Sequence, residues 1–369
     1  MIITTESLEF RNNLQEQWIE KYLSSNRRGI LHCAPRTGKT RVAIEILKRM
    51  DIKTVLISYP DNKIKEGWIE NLDKWGWPSC EITFVNISSL EKYINYEFDV
   101  YVIDEIHQRS YAQLMHMQKI CNYTTYVLGL SGSISKDTEI ELRAHLQLNI
   151  LLTYTIERAV SDGIIADYLI RVYEVELEKE EKKQYNKYTH IINKAKGDTD
   201  FLYLQRNRVV QQSLAKRKEI ARLLKENSNR RFIAFTGLKE QSENLNVPYF
   251  HSSTDEQAYK DFQNGKINQL ALANIGSLGV TYSKLDGVIL SNFTHNTETF
   301  TQTVCRCVVM DYSGKVGEII IVSSKEKAEQ NKLRKSLKNF DKNKIVYEKL
   351  SPAFVKSLGL GVIYKANAS

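Results

Sequence analysis

The sequence predicts an α/β fold of two tandem domains, each a mainly parallel sheet with helices on both faces. Three observations lead there. Short apolar, strand-like runs alternate with amphipathic stretches, the pattern left by parallel strands buried on both sides. The alternation occurs twice, on either side of a charged helical segment. The chain of 369 residues is long enough for about two domains of roughly 150 residues each.

The elements follow in order. Gly29 to Cys33 reads as a strand and Arg41 to Leu47 as the helix after it. Thr54 to Tyr59 is a second strand closed by Pro60, and a helix containing Trp68 and Leu72 should follow. Val100 to Ile103 and Tyr126 to Leu130 are further buried-strand runs, so Tyr101 and Tyr126 read as core. From Leu177 to Glu226 Glu and Lys dominate and the pattern turns helical. A second strand series then appears in Arg231 to Phe235, Gln269 to Ala273, Gly287 to Leu290 and Glu318 to Val322. The expected division is a first domain over 1–165, a helical connection or start of the second over 166–230, and the second domain over 231–369. The lysine-rich stretch from Lys325 to Lys349, helical in its first part, reads as a solvated face.

Composition narrows the class. With 42% hydrophobic and 26% charged residues the chain matches a globular protein rather than a disordered or fibrous one. No apolar run reaches the ~18 residues of a membrane span, and the start lacks the pattern of a signal peptide. Five scattered cysteines, among them Cys305 and Cys307 at a spacing too short for paired zinc ligands, fit a reducing, cytoplasmic setting. The net charge of +8 hints at a polyanionic partner.

The chemistry concentrates in two places. Cys33-Ala34-Pro35-Arg36-Thr37-Gly38-Lys39-Thr40 lies between a strand and a helix, where backbone N–H groups and a helix N-terminus face one anion. Gly38 permits close approach, Lys39 suits the β- and γ-phosphates, and Thr40 suits Mg²⁺. A chance Gly-Lys-Thr at a helix start is the plain alternative, and Cys33 stands where the common pattern has its first glycine. About 65 residues later Asp104-Glu105-Ile106-His107 ends another strand. There Asp104 fits a Mg²⁺ ligand and Glu105 a group that polarises the attacking water. Alone, Asp-Glu after apolar residues is an ordinary helix-start signal. Its weight comes from the conjunction of the two motifs.

At this point the sequence resembles the superfamily 2 helicases and translocases over nearly its whole length, with a lean to compact phage-type members. Arg36 to Thr40 resembles motif I, Asp104 to His107 motif II, and Ser131-Gly132-Ser133 motif III. Phe10-Arg11 and Gln15 lie where the family often places an adenine-reading glutamine. Tyr59-Pro60 is similar to motif Ia, and Asn86 to Leu90, with Ser88 and Ser89, to the next nucleic-acid segment. Ala159 to Ile165 resembles the exit from the first lobe. Phe232 to Phe235 is similar to motif IV, Phe250-His251-Ser252 to the strand after it, Gly276 to Thr281 to motif V, and Gln302 to Arg306 to the start of motif VI.

The resemblance implies two RecA-like lobes that hydrolyse ATP with Mg²⁺. Gln15, Arg36, Thr37, Gly38, Lys39 and Thr40 would bind nucleotide, with Thr40 and Asp104 as metal ligands. Lys39, Asp104, Glu105, Gln302 and Arg306 would be catalytic, and His107, Ser131, Gly132 and Ser133 coupling residues. Pro60, Ser58, Ser88, Ser89, Thr236, Ser252, Gly279 and Thr281 are candidates for the nucleic-acid backbone. DNA is favoured over RNA, no membrane is expected, and a protein partner for processivity is allowed. Motif VI departs from the family: Cys305 replaces its glycine and Val309 its second arginine. Basic residues Arg206, Arg208, Lys216, Arg217 and Lys218 could touch nucleic acid or brace the second domain. A nucleic-acid-binding scaffold with a degenerate ATP site, and an unrelated P-loop NTPase such as a small-molecule kinase, remain alternatives.

Overall fold

The computed structural model describes residues 5–195, 197–273, 285–292, 300, 304 and 316–348. It forms two compact units: one runs to Ile165, and the other begins at Ala166. Among the described residues no helix is long and apolar enough to cross a membrane.

The first unit contains, in chain order, α1 (Thr5–Leu23), β1 (Arg28–Cys33), α2 (Lys39–Lys48), β2 (Thr54–Tyr59), α3 (Asn62–Trp75) and β3 (Glu81–Asn86). A 3₁₀ turn over Ile87–Tyr93 leads to β4 (Val100–Ile103), α4 (Tyr111–Tyr123), β5 (Tyr126–Ser131), α5 (Lys136–Leu146), β6 (Ile150–Tyr154) and α6 (Ile156–Ser161). The six strands stand in the order β3-β2-β4-β5-β1-β6. Every pairing is parallel. The central runs are wholly buried, as continuous apolar strands covered on both faces must be. Helix starts are set locally. Asp61 caps α3 by accepting from Lys63 N, and Ser110 with Gln113 closes a capping box on α4.

The second unit opens with β7 (Tyr168–Val175), so 166–230 is not wholly helical. Then come α7 (Lys179–Lys194), α8 (Asp200–Gln211), α9 (Leu214–Glu226), β8 (Phe232–Thr236), α10 (Lys239–Glu243) and β9 (Tyr249–Phe250). They are followed by α11 (Gln257–Gln263), β10 (Gln269–Ala273), β11 (Gly287–Leu290), β12 (Gly317–Ser324), α12 (Lys327–Ser336) and β13 (Ile345–Glu348). The order is β13-β7-β12-β11-β8-β10-β9, again parallel throughout. The expected solvated stretch from Lys325 is corrected in two respects. α12 buries Glu329, Gln330, Leu333 and Ser336, and β13 joins the sheet beside β7. Tyr101 is buried as expected, whereas Tyr126 is half-buried beneath the Arg27 guanidinium.

Candidate nucleotide site

In the first sheet β4, β5 and β1 are neighbours, and parallel strands release their following loops at one edge. The strand order therefore brings together three segments distant in sequence: Cys33–Thr40, Asp104–His107 and Ser131–Ser133. In open α/β sheets this C-terminal edge is where ligands sit.

The loop after β1 is shaped by two left-handed residues, Arg36 at φ 70° and Gly38 at φ 95°. Gly38 is the N-cap of α2, and a Cβ there would meet Gln15 Nε2 at 2.2 Å, so both conformation and space demand glycine. Gln15 is buried and donates to Thr37 O at 2.8 Å, while its Oε1 is buried without a hydrogen-bond partner. Arg11 Nη2 donates to Arg36 O (3.0 Å), and Thr37 Oγ1 donates to Ala34 O (2.7 Å). α1 thus holds the loop from outside and Thr37 from within. Lys39 Nζ donates to Cys33 O at 3.2 Å. Thr40 is half-buried in the first turn of α2. Cys33 is the last residue of β1, wholly buried, with burial pushing its thiol up to about 12. Its side chain belongs to the core, so the missing glycine lies in the strand rather than in the turn.

Asp104 and Glu105 follow β4. Trp68 Nε1 donates to Asp104 Oδ2 at 2.8 Å and Glu105 N to Oδ1 at 2.9 Å. Burial, and then the adjacent Glu105 carboxylate, nonetheless push the Asp104 carboxyl upward, against the pull of Trp68 and Lys39. Glu105 itself adopts φ 47°, in the left-handed region, and its Oε2 lies 3.5 Å from His107 Nδ1. His107 is buried, with Nδ1 2.7 Å from Ser131 Oγ. Ser131 Oγ donates its one proton to Ser133 O at 2.7 Å, so it must accept from His107. His107 is then the neutral Nδ1–H tautomer, consistent with burial lowering its pKa to about 4. Gly132 sits against the loop. A Cβ there would stand 3.1 Å from Pro35 Cγ and 3.4 Å from Lys39 Nζ.

The remaining candidates divide. Pro60 and Ser89 are half-buried, whereas Ser88 and Ser252 are exposed. Ser88 N and Oγ both donate to Asn86 Oδ1, at 3.0 and 2.8 Å, which caps the 3₁₀ turn. Two candidates are buried. Ser58 is buried, with Oγ 3.0 Å from Tyr101 OH, and Thr236 is buried with its one hydroxyl proton shared between Leu238 O (3.1 Å) and Leu272 O (3.3 Å). Each hydroxyl is already hydrogen-bonded inside the fold. Gly279, Thr281, Gln302 and Arg306, with Cys305 and Val309, lie outside the described residues.

Sequence places Trp68 only as a residue of the helix after β2 and does not show its hydrogen bond to Asp104. A buried indole N–H needs an acceptor, which is a signal, but sequence does not say which one.

Residues 183–310 match the family model of the helicase conserved C-terminal domain. The chain is similar to the ATP-dependent Type ISP restriction-modification enzyme LlaBIII bound to DNA, with a TM-score of 0.60, 16% identity, and coverage of 93% of this chain and 32% of that one. It therefore spans about a third of that enzyme's length. It is also similar to S. cerevisiae Dbp5 bound to RNA and ADP BeF3, with a TM-score of 0.59, 11% identity, and coverage of 97% of this chain and 96% of that one. The Pyrococcus furiosus Hef helicase domain matches with a TM-score of 0.51, 14% identity, and coverage of 86% and 96%. Compared with curated protein sequences, the chain matches none.

Fold and strand order thus define a tandem RecA-like α/β protein. Within that class residues 183–310 match the helicase conserved C-terminal domain, and the fold is similar to those of LlaBIII, Dbp5 and the Hef helicase domain.

Proposed function

We propose that the protein is an ATP-dependent nucleic-acid helicase or translocase, acting on DNA in preference to RNA. The observation that carries this reading is the convergence of Lys39, Asp104–Glu105 and the His107–Ser131 link at one edge of one sheet. A left-handed glycine at a helix start gives an anion its backbone donors, and Lys39 adds the point charge for the β- and γ-phosphates. The buried Gln15 Oε1 supplies an acceptor of the kind an adenine amino group requires.

A Mg²⁺ ion fits Asp104 with Thr40: a carboxylate that burial and a second carboxylate both penalise is one that a cation stabilises. Among the described residues no three His, Cys, Asp or Glu side chains form a ready metal cage. The ion would take its other oxygens from the nucleotide and water, as Mg²⁺ commonly does. When bound it supplies charge neutralisation on the phosphates. Glu105 then orients the attacking water, and His107 reports the state of that site to Ser131–Ser133. Gln302 and Arg306 are assigned to the γ-phosphate side by the motif VI resemblance, with Arg306 stabilising transition-state charge.

The preference for DNA rests on the resemblance to phage-type members. ATP hydrolysis measured without polymer and with single-stranded, duplex and forked DNA and single-stranded RNA tests the reading. DNA should stimulate more than RNA, and Lys39→Ala should abolish stimulation. Rates indifferent to every polymer would sink the proposal, and binding without turnover would favour the scaffold with a degenerate ATP site.

A further inference from the structure

We infer that the tip of the α7–α8 hairpin is a binding surface for single-stranded nucleic acid, with bases on its apolar side chains and phosphates on its basic stripe. The inference rests on the function proposed above and names a surface for that substrate.

The hairpin's main buried cluster lies at one end. Leu177, Tyr185, Val209 and Val210 form its small buried cluster, all distant from the connection between the helices. Around that connection Ile192 is buried and Leu202 half-buried, but Phe201 is 68% exposed, Leu204 65%, Tyr203 42% and Ile191 38%. Four of the twelve exposed large hydrophobic side chains among the described residues thus fall within 191–204. Single exposed hydrophobes need no explanation, but a cluster does.

Charge says what covers it. Residues 179–211 carry eight lysines and arginines against four aspartates and glutamates, which is +4 of the chain's +8 in one hairpin. On α7, Lys183, Lys187, His190 and Lys194 are exposed at helical spacing, with Ile191 beside them. On α8, Phe201, Leu204 and Arg208 stand at i, i+3 and i+7 and all are exposed. Arg206 lies over two rings, 5.6 Å from the Tyr185 centroid and 5.0 Å from that of Tyr203, and so fixes Tyr203 against the hairpin. Planar and apolar surface interleaved with cations suits unpaired bases on a phosphate chain. A duplex hides its base faces and would leave Phe201 and Leu204 unused.

The full-length protein is titrated with a labelled single-stranded oligothymidylate and with a blunt duplex of equal length, over a series of salt concentrations. Phe201→Ala with Leu204→Ala should raise Kd for the single strand about tenfold or more, leaving the salt slope and the duplex affinity nearly unchanged. Arg208→Gln should lower the slope of log K against log salt by about 0.7. These positions are exposed, so thermal melts should coincide with the unaltered protein and confirm folding. Unchanged affinity and slope in variants of a protein that does bind nucleic acid overturn this inference and leave the helicase reading intact. It is equally overturned if the paired variant only turns a self-associated protein into monomers, which would make the tip a protein interface. No binding by the unaltered protein overturns both.

Discussion

Each unit of this protein sets a lysine at the C-terminal edge of an all-parallel sheet, and the two lysines have opposite fates. Lys39, half-buried after β1, donates to the Cys33 carbonyl and stands beside Gly132, within electrostatic reach of Asp104. Lys216 of α9 is wholly buried and bonds at 2.5 Å to both Ser291 O, just past β11, and Glu329 Oε1 of α12. Glu329 Oε2 in turn accepts from Ser324 N at the end of β12, and Gln330 bonds to Ser323 and Ser324. One sheet edge keeps cation and carboxylates apart, which leaves both able to serve the proposed nucleotide and metal. The other neutralises them against each other and becomes a brace. Of the two readings of the basic cluster at 206–218, bracing holds for Lys216, and exposure for Arg208.

The sharpest way to break this contrast is to remove each lysine. Lys216→Ala strands Glu329 in a buried site and should cost about 3–5 kcal/mol, whereas Lys216→Met with Glu329→Leu should cost far less. Lys39→Ala should change stability by about 1 kcal/mol or less while abolishing nucleotide affinity. Urea unfolding with nucleotide titration measures both. Equal stability losses would show that the two lysines do the same job.

Two left-handed glycines sharpen the comparison at smaller scale. Gly38→Ala meets Gln15 Nε2 at 2.2 Å on top of backbone strain of about 1–2 kcal/mol, so it should lose stability and nucleotide binding together. Gly265, at φ 74° after α11, has only Arg231 Nη1 at 3.8 Å from a built Cβ. Gly265→Ala should therefore show the strain alone, with nucleotide affinity unchanged. Binding loss in both would mean that the effect is global rather than local.

The smallest expected effect is on pH dependence. Burial holds His107 neutral down to about pH 4, with Lys39 and Arg109 opposing its protonation and Glu105 favouring it. Between about pH 4 and 6.5 the unfolded chain binds a proton that the folded one does not, so His107 makes stability fall as pH drops through that window. His107→Gln should flatten this limb in thermal melts of the protein. An identical acid limb in the variant would remove His107 as its source. The raised Asp104 acts in the opposite sense over part of the same range, and comparing variant with parent cancels it.

Much of the fold was legible because central strands are short, continuous apolar runs between breakers. Thr54–Tyr59, Val100–Ile103 and Gln269–Ala273 coincide with their expected ranges. The strands that escaped were edges or half-covered ones. β3 and β13 are partly exposed and β7 alternates buried with half-buried positions, so none makes a continuous run, and the two-residue β9 was placed only through the likeness of Phe250-His251-Ser252. In the candidate site the residue types were legible, since a glycine, a lysine and paired carboxylates at strand ends are local signals. Their partners were not: nothing local links Trp68 to Asp104, or says that Thr236 spends its hydroxyl inside the sheet.

The sequence by itself determined the parallel-strand architecture and the residue types of the candidate phosphate loop, because hydrophobic runs and loop residues act over a few neighbouring positions. Only the tertiary structure decided that Lys39 stays half-buried at its sheet edge while Lys216 is buried as a brace, and that Phe201 and Leu204 stay exposed. Burial depends on what remote segments pack against a side chain, and the strand order that sets those neighbours is fixed only when the whole sheet assembles.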